Sequence, residues 1–147
     1  MADGAPPDGR ELMRGFVGSS PFAQKLGIAL ERIEDDAAVL RLPFTPSLAT
    51  AGEVVHGGAI ATLADTAATV VAWSAADVAT IRNGATISLT VEYLAAATGS
   101  DLVAHARVSK RGRTLVFCEV DVFAGETDLV AKVLATYRFA LARGESK

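Results

Sequence analysis

The residues that most restrict what this chain can become are VVHGGAIATLADTAATVVAW, Val54 to Trp73. The run opens on His-Gly-Gly, then stays apolar and small for several helical turns, with one carboxylate, Asp65, near its centre. Taken on to Ala76, the segment is long enough for a membrane span, for which about 20 apolar residues suffice. Against a span, most of the run is Ala, Thr and Gly, and a central aspartate opposes insertion by roughly 2.5–3.5 kcal/mol. Amphipathic strands follow it, and no other segment resembles a span. The expectation is a long helix buried inside a globular domain.

The flanking sequence says what buries it. Upstream, GRELMRGFVGSSPFAQKLG predicts a short helix and then a turn at Ser20-Pro21 that opens a second one. Ile28 to Glu34 and Ala38 to Phe44 alternate as two strands about a tight turn at Asp35-Asp36, and the loop TPSLATAGEVV leads to His56. Downstream the period stays close to two. In ATISLTVEYL, Ile87, Leu89, Val91 and Tyr93 share one face, and Thr86, Ser88, Thr90 and Glu92 the other. Leu102 to Val108 and Val116 to Val122 alternate likewise, with Lys110-Arg111-Gly112-Arg113 as a polar turn between them. Gly125-Glu126 turns the chain into a last strand, Leu129 to Leu141.

Short turns between consecutive strands make the sheet antiparallel. Its apolar face needs a cover, and only the helix, about 30 Å long at 1.5 Å per residue, is large enough. The predicted class is α+β, a curved antiparallel sheet wrapped around one long central helix. Residues 1–19 read as a tail and short helix, 20–142 as the domain, and 143–147 as a C-terminal tail.

Composition fits a compact domain, with 50% hydrophobic and 21% charged residues in 147. A net charge of -3 gives no reason to expect nucleic acid or an anionic membrane as partner. The single cysteine, Cys118, excludes an internal disulfide and fits a reducing compartment. MADGAPPDGRE has neither the basic nor the apolar region of a signal peptide and reads as a frayed tail, so the cytoplasm is the expected location.

Two features of the helix carry chemistry. Glycine inside a helix costs about 1 kcal/mol relative to alanine, so Gly57 and Gly58 belong at its boundary. There their N–H groups lack intrahelical acceptors, a ligand oxygen can approach closely, and the macrodipole is positive. The pair can bind a developing oxyanion; it can equally be a tight turn into the helix. Asp65 can act as a base or nucleophile, or can simply face water or bond Thr62 or Thr69, which lie within reach on its face. Eight residues place Asp65 about 12 Å beyond Gly57, too far to share one carbonyl within a chain. A two-fold dimer with antiparallel helices brings residue 57 of one copy to residue 65 of the other.

H-G-G-A-x-A-x-L-A-D-T-A, in a strand–strand–helix–four-strand frame, resembles the hotdog-fold acyl-CoA thioesterases, and within them the phenylacetic-acid-degradation branch. The likeness runs from about Pro21 to Leu141. It implies hydrolysis of an acyl-CoA thioester, with the Gly57 amide on the carbonyl and Asp65 of the partner subunit as base or nucleophile. His56 would shape the helix start. Thr86 would match a Ser/Thr that contacts the water or the acid. Thr50 stands where relatives often carry Asn or Gln, and a hydroxyl cannot offer an amide's paired donor and acceptor. The resemblance implies a homodimer, often paired into a tetramer, and no cofactor beyond coenzyme A in the substrate.

Ala61, Ala64, Ala68 and Thr69 near Asp65 leave room for the acyl group, so Ala68 and Thr69 join Gly58 as expected substrate contacts. Lys110, Arg111 and Arg113 are a solvated hairpin turn or, as the resemblance implies, a receptor for coenzyme A phosphates. His105 is expected in solvent and Cys118 in the core. Two histidines 49 positions apart, without Cys or acid at ligand spacing, argue against a metal site. No G-x-S-x-G elbow and no phosphate loop occur. An enoyl-thioester hydratase would carry an acid–histidine motif that is missing here. A non-catalytic acyl-CoA sensor could dispense with Asp65.

Overall fold

The computed structural model describes residues 7–144. The tail reading for residues 1–6 and the end of the C-terminal tail, 145–147, lie outside the described residues. Helix α1 spans Gly9–Ser19 and α2 spans Pro21–Leu26. Strands β1 (Ala29–Glu34) and β2 (Ala37–Leu42) form the first hairpin, turning at Asp36, whose φ of 62° is left-handed. A small hairpin of β3 (Ala49–Ala51) and β4 (Val54–Val55) occupies the loop before His56. The long helix α3 is Gly57–Ser74. Strands β5 (Ile81–Tyr93), β6 (Leu102–Arg111), β7 (Leu115–Ala124) and β8 (Asp128–Leu141) follow.

The six long strands form one antiparallel sheet in the order β1-β2-β6-β7-β8-β5. Strand β5 pairs with β8, the last strand, and so closes the sheet at an edge. The β6–β7–β8 strands alternate as their sequence predicts: Ala104, Ala106, Val116, Cys118, Val120 and Val122 are buried, whereas His105, Arg107 and Phe117 are exposed.

The inner face of the sheet packs on α3. Leu63, Ala64, Ala67, Ala68, Val70, Val71 and Ala72 have no exposed surface. Small side chains let the strands approach the helix axis and curl around it, while Leu63, Val70 and Val71 each contribute about 1.5–3 kcal/mol through burial. Helix α1 lies on α3 as well, burying Met13 and Val17. Asp8 caps it by accepting from Glu11 N–H at 2.9 Å, so the helix begins within the stretch read as tail. Among the described residues, no helix is long and apolar enough to cross a membrane.

The main departure from the predicted pattern is in β5. Its pairing with β8 shifts register between Ile81 and Asn83 and again between Thr86 and Ser88. Each shift is a bulge, which inserts one residue and re-aims its neighbours. Strict alternation puts Thr86 on the face opposite Leu89. With the bulge at Ile87, Thr86 and Leu89 both turn inward, and Ile87 is 56% exposed.

Candidate active site

Helix α3 starts where the chain leaves β4. His56 is its N-cap, and its Nδ1 accepts a hydrogen bond from Gly58 N–H at 2.8 Å. An accepting Nδ1 carries no proton, which puts the ring proton of the neutral form on Nε2. Gly58 N–H, expected to face a ligand, is thus used within the chain. Gly57 N–H has no acceptor among the described residues. Tyr93, at the end of β5, donates its hydroxyl to Gly57 O at 2.8 Å. The peptide between Gly57 and Gly58 is therefore held at both its N–H and its C=O, and the preceding N–H is left at the positive end of α3. A Cβ at Gly57 would meet the Tyr93 ring at 3.2 Å, so a side chain there would disturb this clamp.

Asp65 is half-buried two turns further on. Its partner is neither Thr62 nor Thr69, the local candidates. Thr62 donates to Gly58 O, and Asp65 Oδ1 instead accepts from Thr86 Oγ1 at 2.7 Å. The bulge at Ile87 makes this bond possible. A bond from Thr86 fixes one carboxylate oxygen and leaves the other free for a water or a carbonyl carbon. Asp65, Thr69 and Thr86 line one cleft of about 500 Å³. Leu12, Met13 and Phe16 of α1, with Trp73 and Tyr137, supply its apolar wall. Trp73 Nε1 donates to Tyr137 Oη at 2.9 Å, and the Trp73 ring stands edge-on to Phe139. Burial, together with the nearby Asp65 charge, pushes the Tyr137 hydroxyl above its ordinary range despite the Trp73 bond, so it stays protonated.

The remaining expected residues are dispersed. Ala68 is wholly buried against the sheet, with Cys118 Sγ near its carbonyl, and does not line the cleft. Thr50 is exposed in β3, beside the chain entering α3. Arg111 is no free phosphate ligand. It donates to Ala72 O at 2.8 Å and pairs with Asp36 at 2.7 Å, capping the C-terminus of α3 and tying it to the β1–β2 turn. Lys110 and Arg113 are exposed and unpaired among the described residues. His105 is exposed, edge-on to Phe123, and Cys118 is buried. A smaller depression of about 280 Å³ on the outer sheet face is lined by Glu92, Arg107, Glu119, Asp121 and Lys132, the last four of which pair with one another.

Sequence reasoning missed Tyr93 and the α1 wall. Tyr93 reads as one more alternating strand residue, and its bond to Gly57 joins positions 36 apart. The sequence predicts the short helix α1, but not that its Leu12 and Phe16 edge a cleft.

The thioesterase superfamily model matches residues 52–131, which include both Gly57 and Asp65. A Halobacterium salinarum protein named "Putative esterase" is 36% identical over 118 residues, covering 78% of each chain. A thioesterase family protein from Silicibacter pomeroyi superposes with a TM-score of 0.83 at 24% identity, over 88% of this chain and 96% of that one. A Haemophilus influenzae thioesterase gives 0.81 at 16% identity over 97% of each chain. At such identities these two structures speak for the fold alone. With a family match spanning over half its length, and its sheet-around-helix architecture shared by those neighbours, the chain belongs to the thioesterase superfamily, hydrolases of thioester or ester bonds built on the hotdog fold.

Proposed function

We propose that the protein hydrolyses an acyl-CoA or related acyl thioester, with its site assembled from two copies of the chain. The observation that carries this is the pairing of Thr86 with Asp65 in the cleft, on the same helix whose start leaves Gly57 N–H without an acceptor among the described residues. The carboxylate takes a proton from water as the water oxygen attacks the carbonyl carbon, or attacks that carbon itself. Gly57 N–H stabilises the charge gathering on the carbonyl oxygen. Collapse of the adduct expels the thiolate, which is protonated to the free thiol; by the second route, water then cleaves the mixed anhydride. Under single turnover in labelled water, oxygen entering Asp65 marks the second route. His-Gly-Gly with the helix acid favours the phenylacetic-acid-degradation branch.

Gly57 and Asp65 lie on one unbroken helix, about 12 Å apart along its axis. They converge only if a second α3 runs antiparallel beside the first. The open β5 edge, where Ile87 and Tyr93 are more than half exposed, is a surface on which two copies can meet. Lys110 and Arg113 remain available to coenzyme A phosphates. Their charge reversal is expected to raise KM for acyl-CoA and not for thioesters of small thiols.

Complementation tests the assembly. Asp65→Asn and Gly57→Val are each expected to abolish thiol release from acyl-CoA. Mixed and refolded together, the two variants regain activity if the site is shared between subunits, because one site of each heterodimer then has both groups intact. No recovery from a verified heterodimer would place the site within one chain. Full activity in Asp65→Asn would end the hydrolytic reading of this residue.

A further inference from the structure

The cleft that holds Asp65 has a second polar end, formed by Arg82 and Asn83. The first bulge of β5 falls at Arg82 and the second at Ile87, next to Thr86. One edge strand is thus broken twice, and both breaks serve side chains of the same cleft. Between them is Gly84, where a Cβ would stand 2.4 Å from the Tyr137 ring. No side chain fits there, so the aromatic wall is continuous from one polar end to the other.

Among the described residues that line the cleft, Arg82 is the one cation and Asp65 the one anion. Exposed Arg82, like Arg14, Arg113 and Arg138, forms no ion pair or side-chain hydrogen bond with any described residue, but of these four it alone lines the cleft, and the Asn83 amide beside it likewise has no partner. A free guanidinium at the end of an apolar cleft presents a fork of donors suited to a carboxylate. Arg82 precedes Thr86 by four strand positions, about 13 Å of backbone. The reacting end and the cation therefore lie at different points along a bound chain.

We infer that the acyl group taken by this cleft ends in a carboxylate: the substrate class is the ω-carboxyacyl thioester, with Arg82 gripping the distal anion and Asn83 donating beside it. This rests on the hydrolytic reading of Asp65 and adds the chemistry of the far end. Arg82 is exposed, so water solvates it beside a neutral acyl chain, and the preference comes from the charge-assisted pair that only a carboxylate gains.

The test compares adipyl-CoA with hexanoyl-CoA, equal in length and differing in the terminal carboxylate. Wild type is expected to favour adipyl-CoA in kcat/KM by about fivefold or more, and Arg82→Gln to collapse that ratio towards one. Equal kcat/KM for both substrates in wild type would overturn the inference. So would an Arg82→Gln defect of equal size on both CoA esters that vanishes with N-acetylcysteamine thioesters, since Arg82 would then be reading a coenzyme A phosphate. Calorimetric binding of the same pair to Asp65→Asn separates this from the hydrolytic reading. An Arg82-dependent preference for adipyl-CoA there stands whether or not Asp65 is the hydrolytic group, and its absence counts against Arg82 alone.

Discussion

Thr86 donates its hydroxyl to the Asp65 carboxylate across 2.7 Å, joining a bulged edge strand to the middle of the central helix. A hydrogen bond to a charged group contributes about 1.5–3 kcal/mol, and here it fixes which carboxylate oxygen is free to react. Thr86→Val should lower kcat for thioester hydrolysis by about tenfold or more, with KM little changed, and Thr86→Ser should restore most of it. Steady-state thiol release, read beside the melting temperature, checks both. Unaltered kcat in Thr86→Val would mean the bond only packs the strand.

The Tyr93 hydroxyl clamps the first peptide of α3 from the far end of β5, opposite the His56 imidazole. Tyr93→Phe removes one neutral hydrogen bond, worth about 0.5–1.5 kcal/mol, and loosens the turn that presents Gly57 N–H. Turnover is expected to fall about three- to tenfold at unchanged KM, since the lost alignment matters most where charge develops on the carbonyl oxygen. A rise in KM alone would assign Tyr93 to substrate contact instead.

Arg111 is tied to Asp36 and to the last carbonyls of α3, so its loss should register in stability before catalysis. Arg111→Met leaves those acceptors without a donor at a cost of about 2 kcal/mol, or roughly 4–8 °C in Tm. KM for acyl-CoA should hold. A large KM increase with an unchanged melting temperature would restore Arg111 to phosphate binding.

Burial pushes the Cys118 thiol up to about 11 from an ordinary 9.0, with Arg111 lowering it slightly and Asp36 raising it. Native protein should resist maleimide at pH 8 and react once unfolded. As pH rises past 9 the unfolded thiol ionises while the folded one keeps its proton, so stability present below pH 9 is lost up to about pH 11. Cys118→Val should flatten that slope in urea midpoints measured from pH 8 to 11. Rapid labelling of the native state would contradict the burial.

An unbroken apolar run, the glycines at its start and strand alternation were enough to yield the central helix, the antiparallel strands, and His56, Gly57 and Asp65 at their helical positions. A continuous apolar run and six two-residue alternations are local patterns, and each can bury its apolar side in only a few ways. The distance between Gly57 and Asp65 was equally legible, being fixed by helix rise. Tertiary structure decided the partners. Thr86 reaches Asp65 because β5 bulges, Arg111 turns to the helix end because the first hairpin brings Asp36 there, and α1 becomes a cleft wall by lying on α3. Bulges and long-range pairings arise where strands meet over a curved surface, and that curvature depends on how closely the whole sheet approaches the helix, which no short window of residues encodes.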